Sequence, residues 1–308
     1  MEKLNKQKIP TNDNLLIVVE SINHINAIVK AILSMDSSLE NIDSPSNGES
    51  LTIESAIANL NGTDLGLRFY AAWWLGRFRV NEPQAVSSLI KALADEDDRT
   101  PEGGYPLRRN AARALGKLSD ITAVAPLITC LQSSDFYVRE AAAESLGMLG
   151  DSTAISPLTQ LLEHGLENGV LVATQPDTKE PYDAILEALG ALKAVDTIPL
   201  IQPFLQHPIE RNQYSAARAM YQLTGEVEYG DRLIKALAGN DLQLRRSALA
   251  DLGAIGYIAA ADAIAQTLAE NSLKLISLKG LLEKQVSPLT PTLSSDAIKV
   301  MNLMDLLL

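Results

Sequence analysis

The sequence predicts an all-α protein, built as a solenoid of about six two-helix repeats between about residues 51 and 285. The first observation is a recurring skeleton, Arg-x-x-Ala-Ala-x-x-Leu-Gly. Its copies, two of them degraded, begin at Arg68, Arg108, Arg139, Tyr182, Gln213 and Arg245. The second observation is the spacing of the closing residues of these copies, 40, 31, 43, 31 and 32, which is a period of about 31 with two insertions. Strand signals are nearly absent, which is the third observation.

Each repeat is expected to contain two helices. The first helix carries the skeleton, whose paired alanines let a neighbouring backbone approach closely, and we expect its closing glycine to end the helix as a C-cap. The second helix follows a short turn and has Leu and Ile at i, i+3, i+4 and i+7, which is typical of a helix with one buried face. Prolines stand near the starts of second helices, where a missing N–H matters little; they are Pro83, Pro126, Pro157 and Pro199.

The chain outside the repeats divides into an N-terminal extension and a C-terminal helix. Residues 1–50 are predicted to be an extension with one amphipathic helix near residues 14–33 and a linker rich in Ser, Asn and Asp. Residues 51–308 are predicted to be the repeat domain. Within it, Thr52 to Asn61 is expected to form the second helix of an incomplete first unit, and a short helix is expected from about Ser295.

Composition excludes several classes of function. The net charge is −12 and the isoelectric point is about 4.8, which argues against nucleic acid as a partner because phosphate binding needs clustered Lys and Arg. One cysteine excludes an intramolecular disulfide, and three scattered histidines leave too little for a Cys/His zinc site, so no metal is expected. The sequence has no apolar run approaching 18 residues and no signal peptide, so we expect neither membrane insertion nor secretion. The expected location is the cytoplasm.

A second regularity is an Asp-x-x-x-Arg spacing at the start of three first helices. The pairs are Asp64 and Arg68, Asp135 and Arg139, and Asp241 and Arg245. The Asp is expected to cap the helix, and the Arg to reach the Asp of its own or an adjacent repeat. We interpret this ladder as structural, because such ladders recur where repeats stack.

The first copy of the skeleton departs most from the others, and it predicts a ligand site. The position of Trp73 is mostly charged in later copies, so Trp73 is expected to be exposed, whereas Trp74 replaces small residues. Arg77 and Arg79 follow directly. Aromatic rings flanked by guanidinium groups suit a planar, conjugated ligand that carries carboxylates. The alternative is that the tryptophans cap the incomplete first unit or contact residues 14–33.

Two insertions break the period. Asp95 to Pro106 is acidic and could form a flap over the Trp-bearing repeat, or be a solvated loop. Glu163 to Pro181 precedes Tyr182, where the skeleton Arg is missing, and could contact a partner or close a pocket. The complete candidate set for binding a ligand or an acceptor protein is Tyr70, Trp73, Trp74, Arg77, Arg79, Tyr105, Arg108 and Arg109.

No catalytic residue can be assigned from the sequence. Cys130 lies on an apolar helix face and is interpreted as a core residue rather than a nucleophile. His164 and His207 lie near the ends of second helices, and neither has a carboxylate or cysteine at a triad-like or metal-ligand spacing.

Several blocks together resemble one protein family. They are LRFYAAWWLGRFRV, DDRTPEGGYPLRRNAARALGKLSD, EPYDAILEALGAL, SLKGLLE and IKVMNLMDLLL. In this order they resemble the E subunit of the E/F-type phycocyanobilin lyases, the CpcE-like proteins with HEAT-like repeats. The resemblance covers about Glu49 to Leu308.

The resemblance implies a heterodimer with an F-type subunit. Such a heterodimer attaches phycocyanobilin, through a thioether, to a cysteine of the phycocyanin alpha subunit, and runs the reaction in reverse as well. The bilin is then a bound substrate, no separate cofactor is implied, and the location is the cytoplasm or the plastid stroma. Two alternatives stay open: a sister lyase for another bilin or another phycobiliprotein alpha subunit, and a non-enzymatic scaffold or chaperone for phycobiliproteins.

Overall fold

The computed structural model describes residues 51–172, 180–286 and 293–308. These residues fall into two compact units, one ending at Arg232 and the other comprising Leu233–Leu308. The predicted helix near residues 14–33 lies outside the described residues. The prediction of an all-α repeat protein is confirmed.

The helices alternate between the two predicted types. A short helix, α1 (Ile53–Leu60), comes first, as expected. The skeleton helices are α2 (Leu65–Arg77), α4 (Pro106–Leu118), α6 (Phe136–Leu149), α8 (Tyr182–Ala191), α10 (Glu210–Thr224), α12 (Leu242–Ile255) and α14 (Asn271–Gln285). The second helices are α3 (Pro83–Ala92), α5 (Val124–Cys130), α7 (Ile155–Glu163), α9 (Ile198–Ile201), α11 (Val227–Leu237), α13 (Ala261–Gln266) and α15 (Ser295–Asp305).

The last two helices form an additional repeat. The predicted C-terminal helix is confirmed as α15, and it packs against α14 as a second helix packs against a first. Asn271 stands where four of the other copies have the skeleton Arg, and its side chain donates to the carbonyl of Leu307, 2.9 Å away. Met304 of α15 is buried, whereas Leu306 and Leu308 are exposed.

The skeleton glycines lie inside the helices, so their predicted role as C-caps is wrong. Gly76 and Gly116 are both buried, one or two residues before the ends of α2 and α4. A Cβ atom on Gly76 would lie 2.8 Å from the Cα of Ala114, and one on Gly116 would lie 2.8 Å from the Cα of Ser145. Because side-chain atoms do not approach so closely, each glycine is what allows consecutive first helices to stack.

The Asp-Arg ladder is half confirmed. Each Asp caps its own helix; the side chain of Asp64, for example, accepts from the Leu67 N–H at 2.9 Å. The arginines instead bridge the loops before and after their helix. Arg245 donates to the carbonyls of Gly239 (2.6 Å) and Leu268 (3.1 Å). The expected Arg-to-Asp contact is made by Arg68, whose Nη2 lies 2.5 Å from Asp95 Oδ1 of its own repeat, whereas Arg245 contacts the orphan carbonyls at helix ends.

The second insertion contains the one feature of the described residues that is not helical or irregular. Strands β1 (Leu166–Glu167) and β2 (Val170–Leu171) pair antiparallel through a turn with positive φ at Asn168 and Gly169. This hairpin is not predictable from the sequence, because two residues per strand are too few to show alternation.

Candidate functional site

The first-helix stripe is the half-buried column of side chains on consecutive skeleton helices that contains Trp73 of α2. In consecutive repeats its central position is held by Trp73, Arg113, Glu144, Glu187 and Arg218. Ion pairs join consecutive members: Arg113 Nε lies 3.3 Å from Glu144 Oε2, and Arg218 Nη1 lies 2.6 Å from Glu187 Oε2. Residues four before and four after each of these central positions lie on the same face of their helix, so they also belong to the stripe.

In the first repeat the stripe is aromatic. The rings of Tyr70 and Trp73 stack, with centroids 5.5 Å apart and planes inclined by 29°. Trp73 is half-buried. The expectation of an exposed indole is therefore wrong, because Tyr70, three residues earlier on the same helix, covers part of it. The stacked pair presents a broad, partly open apolar surface.

Trp74 lies on α2, the first skeleton helix among the described residues. Its counterparts in the other copies are at most 3% exposed, since each packs under the preceding repeat. Trp74 is half-buried and contacts the ring of Phe78, with centroids 4.8 Å apart. Within the described residues no skeleton helix precedes α2, and only the eight-residue α1 comes before it.

Cations gather where α2 and α4 end. Arg77, Arg79 and Lys117 are exposed, and Arg79 Nη1 donates to the carbonyl of Lys117 at 3.4 Å. Desolvation lowers the pKa of Lys117, and the positive charges of Arg113, Arg77 and Arg79 lower it further, with Glu144 opposing. A bound anion would relieve this repulsion. We call Arg77, Arg79 and Lys117 the cation cluster.

Tyr105 and Arg108 have contacts of a different kind. Tyr105 is buried, and its backbone N–H donates to Asp135 Oδ2 at 2.6 Å. The Arg108 guanidinium lies over the Tyr105 ring, 3.9 Å from its centroid, and also contacts the Asp95 carbonyl and the Glu96 carboxylate. These two side chains hold the first insertion onto α4, away from the cation cluster.

Arg109 lies on α4, between Arg108 and Lys117 of the cation cluster. Its guanidinium carbon lies 5.6 Å from the centroid of the exposed Tyr137 ring, and its enclosed Nε has no hydrogen-bond partner in the described part of the chain. It lines a cavity of about 440 Å³ with Tyr105, Gly104 and Tyr137. Arg109 also lies on the stripe, one turn before Arg113.

The first insertion is a folded loop fixed to the amino ends of α2 and α4. Asp95 Oδ1 lies 2.5 Å from Arg68 Nη2, and Asp98 Oδ2 accepts from the Leu107 N–H at 2.9 Å. Thr100 and Gly104 close the loop through a backbone hydrogen bond of 2.9 Å. These contacts fix the loop between two repeats. None of them is with the Trp73 ring, although a flap over the Trp-bearing repeat was one of the two structures expected of this insertion.

Sequence reasoning missed the part of the stripe that follows the tryptophans. Arg113 Nη2 lies 3.1 Å from Glu140 Oε2, and Lys117 completes the cation cluster. Burial raises the pKa of Glu140, and the carboxylates of Glu144 and Asp183 raise it further, against Arg113 and Arg109. The signal was present in the spacing, because Glu140 and Lys117 align with Phe69 and Arg77 of the first copy.

Other candidate groups belong to the core. Burial raises the pKa of Cys130 to about 11, so the thiol stays protonated. His207 is buried against Phe204, its Nδ1 accepts from the Ile209 N–H at 3.0 Å, and burial lowers its pKa. Among the described residues there is no cluster of His, Cys, Asp and Glu that could hold a metal ion, and no helix there is both long and apolar enough to cross a membrane.

Known proteins with similar sequences and structures add independent information. The HEAT repeat model matches residues 105–175, and the PBS lyase HEAT-like repeat model matches residues 67–95. "Phycocyanobilin lyase subunit alpha" of Microchaete diplosiphon is 61% identical over 92% of this chain and 99% of its own length. The protein of the same name from Nostoc sp. strain PCC 7120 is 64% identical over 85% of this chain and 96% of its own. The solved complex of CpcE and CpcF of phycocyanin lyase from Nostoc sp. PCC7120 contains a chain that is 62% identical, with a TM-score of 0.77 over 87% of this chain and 100% of that chain.

Proposed function

The chain belongs to the family of phycocyanobilin lyase alpha subunits, and from this premise we propose that it is the E-type subunit of a heterodimeric bilin lyase. With an F-type partner it attaches phycocyanobilin, through a thioether, to a cysteine of the phycocyanin alpha subunit, and it also catalyses detachment. The observation that carries the proposal is the 61% identity to a phycocyanobilin lyase alpha subunit over 92% of the chain. The proposed location is the cytoplasm or the plastid stroma.

The aromatic and cationic parts of the stripe support a role in binding the bilin. A linear tetrapyrrole is flat, conjugated and carries two propionates. The Tyr70–Trp73 pair offers it a stacking surface, and Arg77, Arg79 and Lys117 offer carboxylate partners about one to two turns further on, at the ends of α2 and α4. We therefore propose that bilin rings lie on Trp73 and that the propionates reach the cation cluster.

The reaction needs positioning more than a covalent protein intermediate. The cysteine sulfur of the acceptor adds to the ethylidene carbon of ring A, the S–H bond breaks, and a proton is taken up by the bilin, so the product is a simple adduct. Held bilin and held thiol react as neighbours, which replaces an encounter in solution. The buried Cys130 is unsuited to act as a nucleophile in this step.

Reconstitution tests the proposal. The chain, an F-type subunit, phycocyanobilin and apo-phycocyanin alpha subunit are mixed, and the acceptor is analysed after denaturation. We expect bilin colour that stays with the alpha subunit and a mass increase of one bilin. Colour that is lost on denaturation would instead indicate the scaffold or chaperone alternative, and product formed only with another bilin or another alpha subunit would indicate a sister lyase.

A further inference from the structure

The stripe changes the sign of its charge between the second and third repeats. Helix α4 contributes Arg109, Arg113 and Lys117 at intervals of four residues, and α6 contributes Glu140 and Glu144. Arg113 touches both carboxylates, at 3.1 Å to Glu140 Oε2 and 3.3 Å to Glu144 Oε2. The row of cations therefore lies between the rings of α2 and the acids of α6.

The two glutamates are not equivalent. The Glu140 side chain is 21% exposed and that of Glu144 is 36% exposed. Burial is the largest influence on Glu140 and raises its pKa above the ordinary value for Glu. Glu144 on its own helix and Asp183 on α8 act in the same direction, while Arg113 and Arg109 on α4 oppose them. Glu140 thus holds a proton to a higher pH than a solvated glutamate.

Thiol addition to a bilin is faster when the tetrapyrrole is protonated, because positive charge on the conjugated system makes the ethylidene carbon more electrophilic. The proton must come from an acid that reaches a pyrrole nitrogen. Stacked helices lie about 8–10 Å apart, so two spacings separate α2 from α6. A linear tetrapyrrole that starts on Trp73 and crosses α4 extends towards Glu140.

We propose that Glu140 is the general acid of the bilin transfer described under Proposed function, donating its proton to a pyrrole nitrogen of bilin bound on the stripe. The carboxylic O–H bond breaks, the bilin N–H forms, and the acceptor sulfur then adds to the ethylidene carbon. The thiol proton leaves to solvent and restores the carboxylic acid, so one thiol and one bilin give one adduct with no oxidant or reductant. Arg113 holds the carboxylate formed in between.

The test compares Glu140→Gln with Glu144→Gln in the heterodimer. Glu144 is a matched comparison because it has the same charge, the same helix and the same Arg113 partner; Glu144→Gln removes a carboxylate that raises the pKa of Glu140, so it should keep the fall of the rate with pH but move it to lower pH. Transfer rates are measured between pH 5 and 9, and bilin binding without acceptor is measured by absorbance. In the wild type the rate should fall as the pH rises through the pKa of Glu140. Glu140→Gln should transfer about 100-fold more slowly at low pH, lose that fall, and bind bilin within about three-fold of the wild type.

Four outcomes would contradict the proposal or the function on which it rests. A Glu140→Gln enzyme with the wild-type rate and pH profile would overturn the proposal, and so would equal defects in the two variants. If Gln at this position impairs folding, Glu140→Asp keeps an acid and should keep the fall with pH at a reduced rate; a lost fall would count against the proposal. A wild-type heterodimer that gives no covalent product would overturn the proposed function itself, which this inference rests on.

Discussion

At the residue scale, the stripe uses one helix position for different purposes in successive repeats. It holds an indole in the first repeat, a guanidinium in the second and a carboxylate in the third and fourth. Buried skeleton positions such as Leu75 and Leu115 do not vary in this way. Function in a repeat protein is therefore best sought where the fold leaves the choice of side chain free.

Trp73→Ala tests the aromatic part of this account. We expect bilin transfer to fall about five-fold or more, since a stacked ring contributes on the order of 1 kcal/mol. Because Trp73 is half-buried against Tyr70, we also expect a loss of about 1 kcal/mol in the free energy of unfolding. Trp74→Ala is the comparison variant, because the Trp74 ring contacts Phe78 rather than Tyr70.

Transfer by Trp73→Ala is measured at saturating acceptor, and unfolding by denaturant titration. Unchanged transfer together with intact partner binding would show that the ring is structural. A variant that fails to fold at all would lead to the same conclusion.

His207 gives the fold a dependence on pH. Its folded-state pKa is lowered by burial, so protonation favours the unfolded chain. The contribution of neutral His207 to the free energy of unfolding is fully present above the pKa of the unfolded chain, about 6.5. It is lost as the pH falls below that value, by up to about 1.4 kcal/mol per pH unit. In His207→Gln this part of the slope should vanish, because Gln does not titrate but can still accept from the Ile209 N–H. Denaturant titrations between pH 5.5 and 7.5 measure it, and identical slopes would refute this role for His207.

At the scale of elements, the skeleton predicted where first helices lie but not how they touch. The pattern Ala-Ala-x-x-Leu-Gly shows a buried face, and α2, α4, α6, α8, α10 and α12 were all expected. The role of the glycines was missed, because a C-cap glycine and a contact glycine look alike near the end of one helix. Only the neighbouring helix distinguishes them.

Gly116→Ala tests the contact between α4 and α6. The new Cβ would lie 2.6 Å from Ser145 Oγ, which is buried and donates to the Ala112 carbonyl at 2.8 Å. We expect destabilisation of about 1–3 kcal/mol, as for overpacked cores. Gly66→Ala in α2 is the control, because the nearest atom to its Cβ would be 3.4 Å away.

That control should be neutral or stabilise by up to about 1 kcal/mol, since Ala favours helix over Gly. Denaturation midpoints of the two variants give the comparison. Equal midpoints would mean that the Gly116 contact does not limit helix approach.

At the scale of the whole molecule, the cation cluster stands out against a net charge of −12. An acidic chain repels carboxylates at long range, so a site for a propionate needs several cations close together. Sequence reasoning found Arg77 and Arg79 because they follow the tryptophans. It missed Lys117 and Glu140, because Lys117 comes near the end of α2, and Glu140 comes near α4, only through stacking between repeats.

The most direct test of the central claim, that the stripe binds bilin through its carboxylates, compares phycocyanobilin with its dimethyl ester. The wild-type heterodimer should transfer the free acid with a kcat/KM at least about ten-fold higher than the ester, because charge-assisted hydrogen bonds contribute about 1.5–3 kcal/mol. In the double variant Arg79→Gln, Lys117→Gln that preference should shrink to about two-fold or less. Lys193→Gln is the control, because Lys193 is an exposed cation at the position of the fourth repeat that matches Arg79, and its φ is positive like that of Arg79. This variant should keep the wild-type preference for the free acid. An undiminished preference in the double variant would contradict the account.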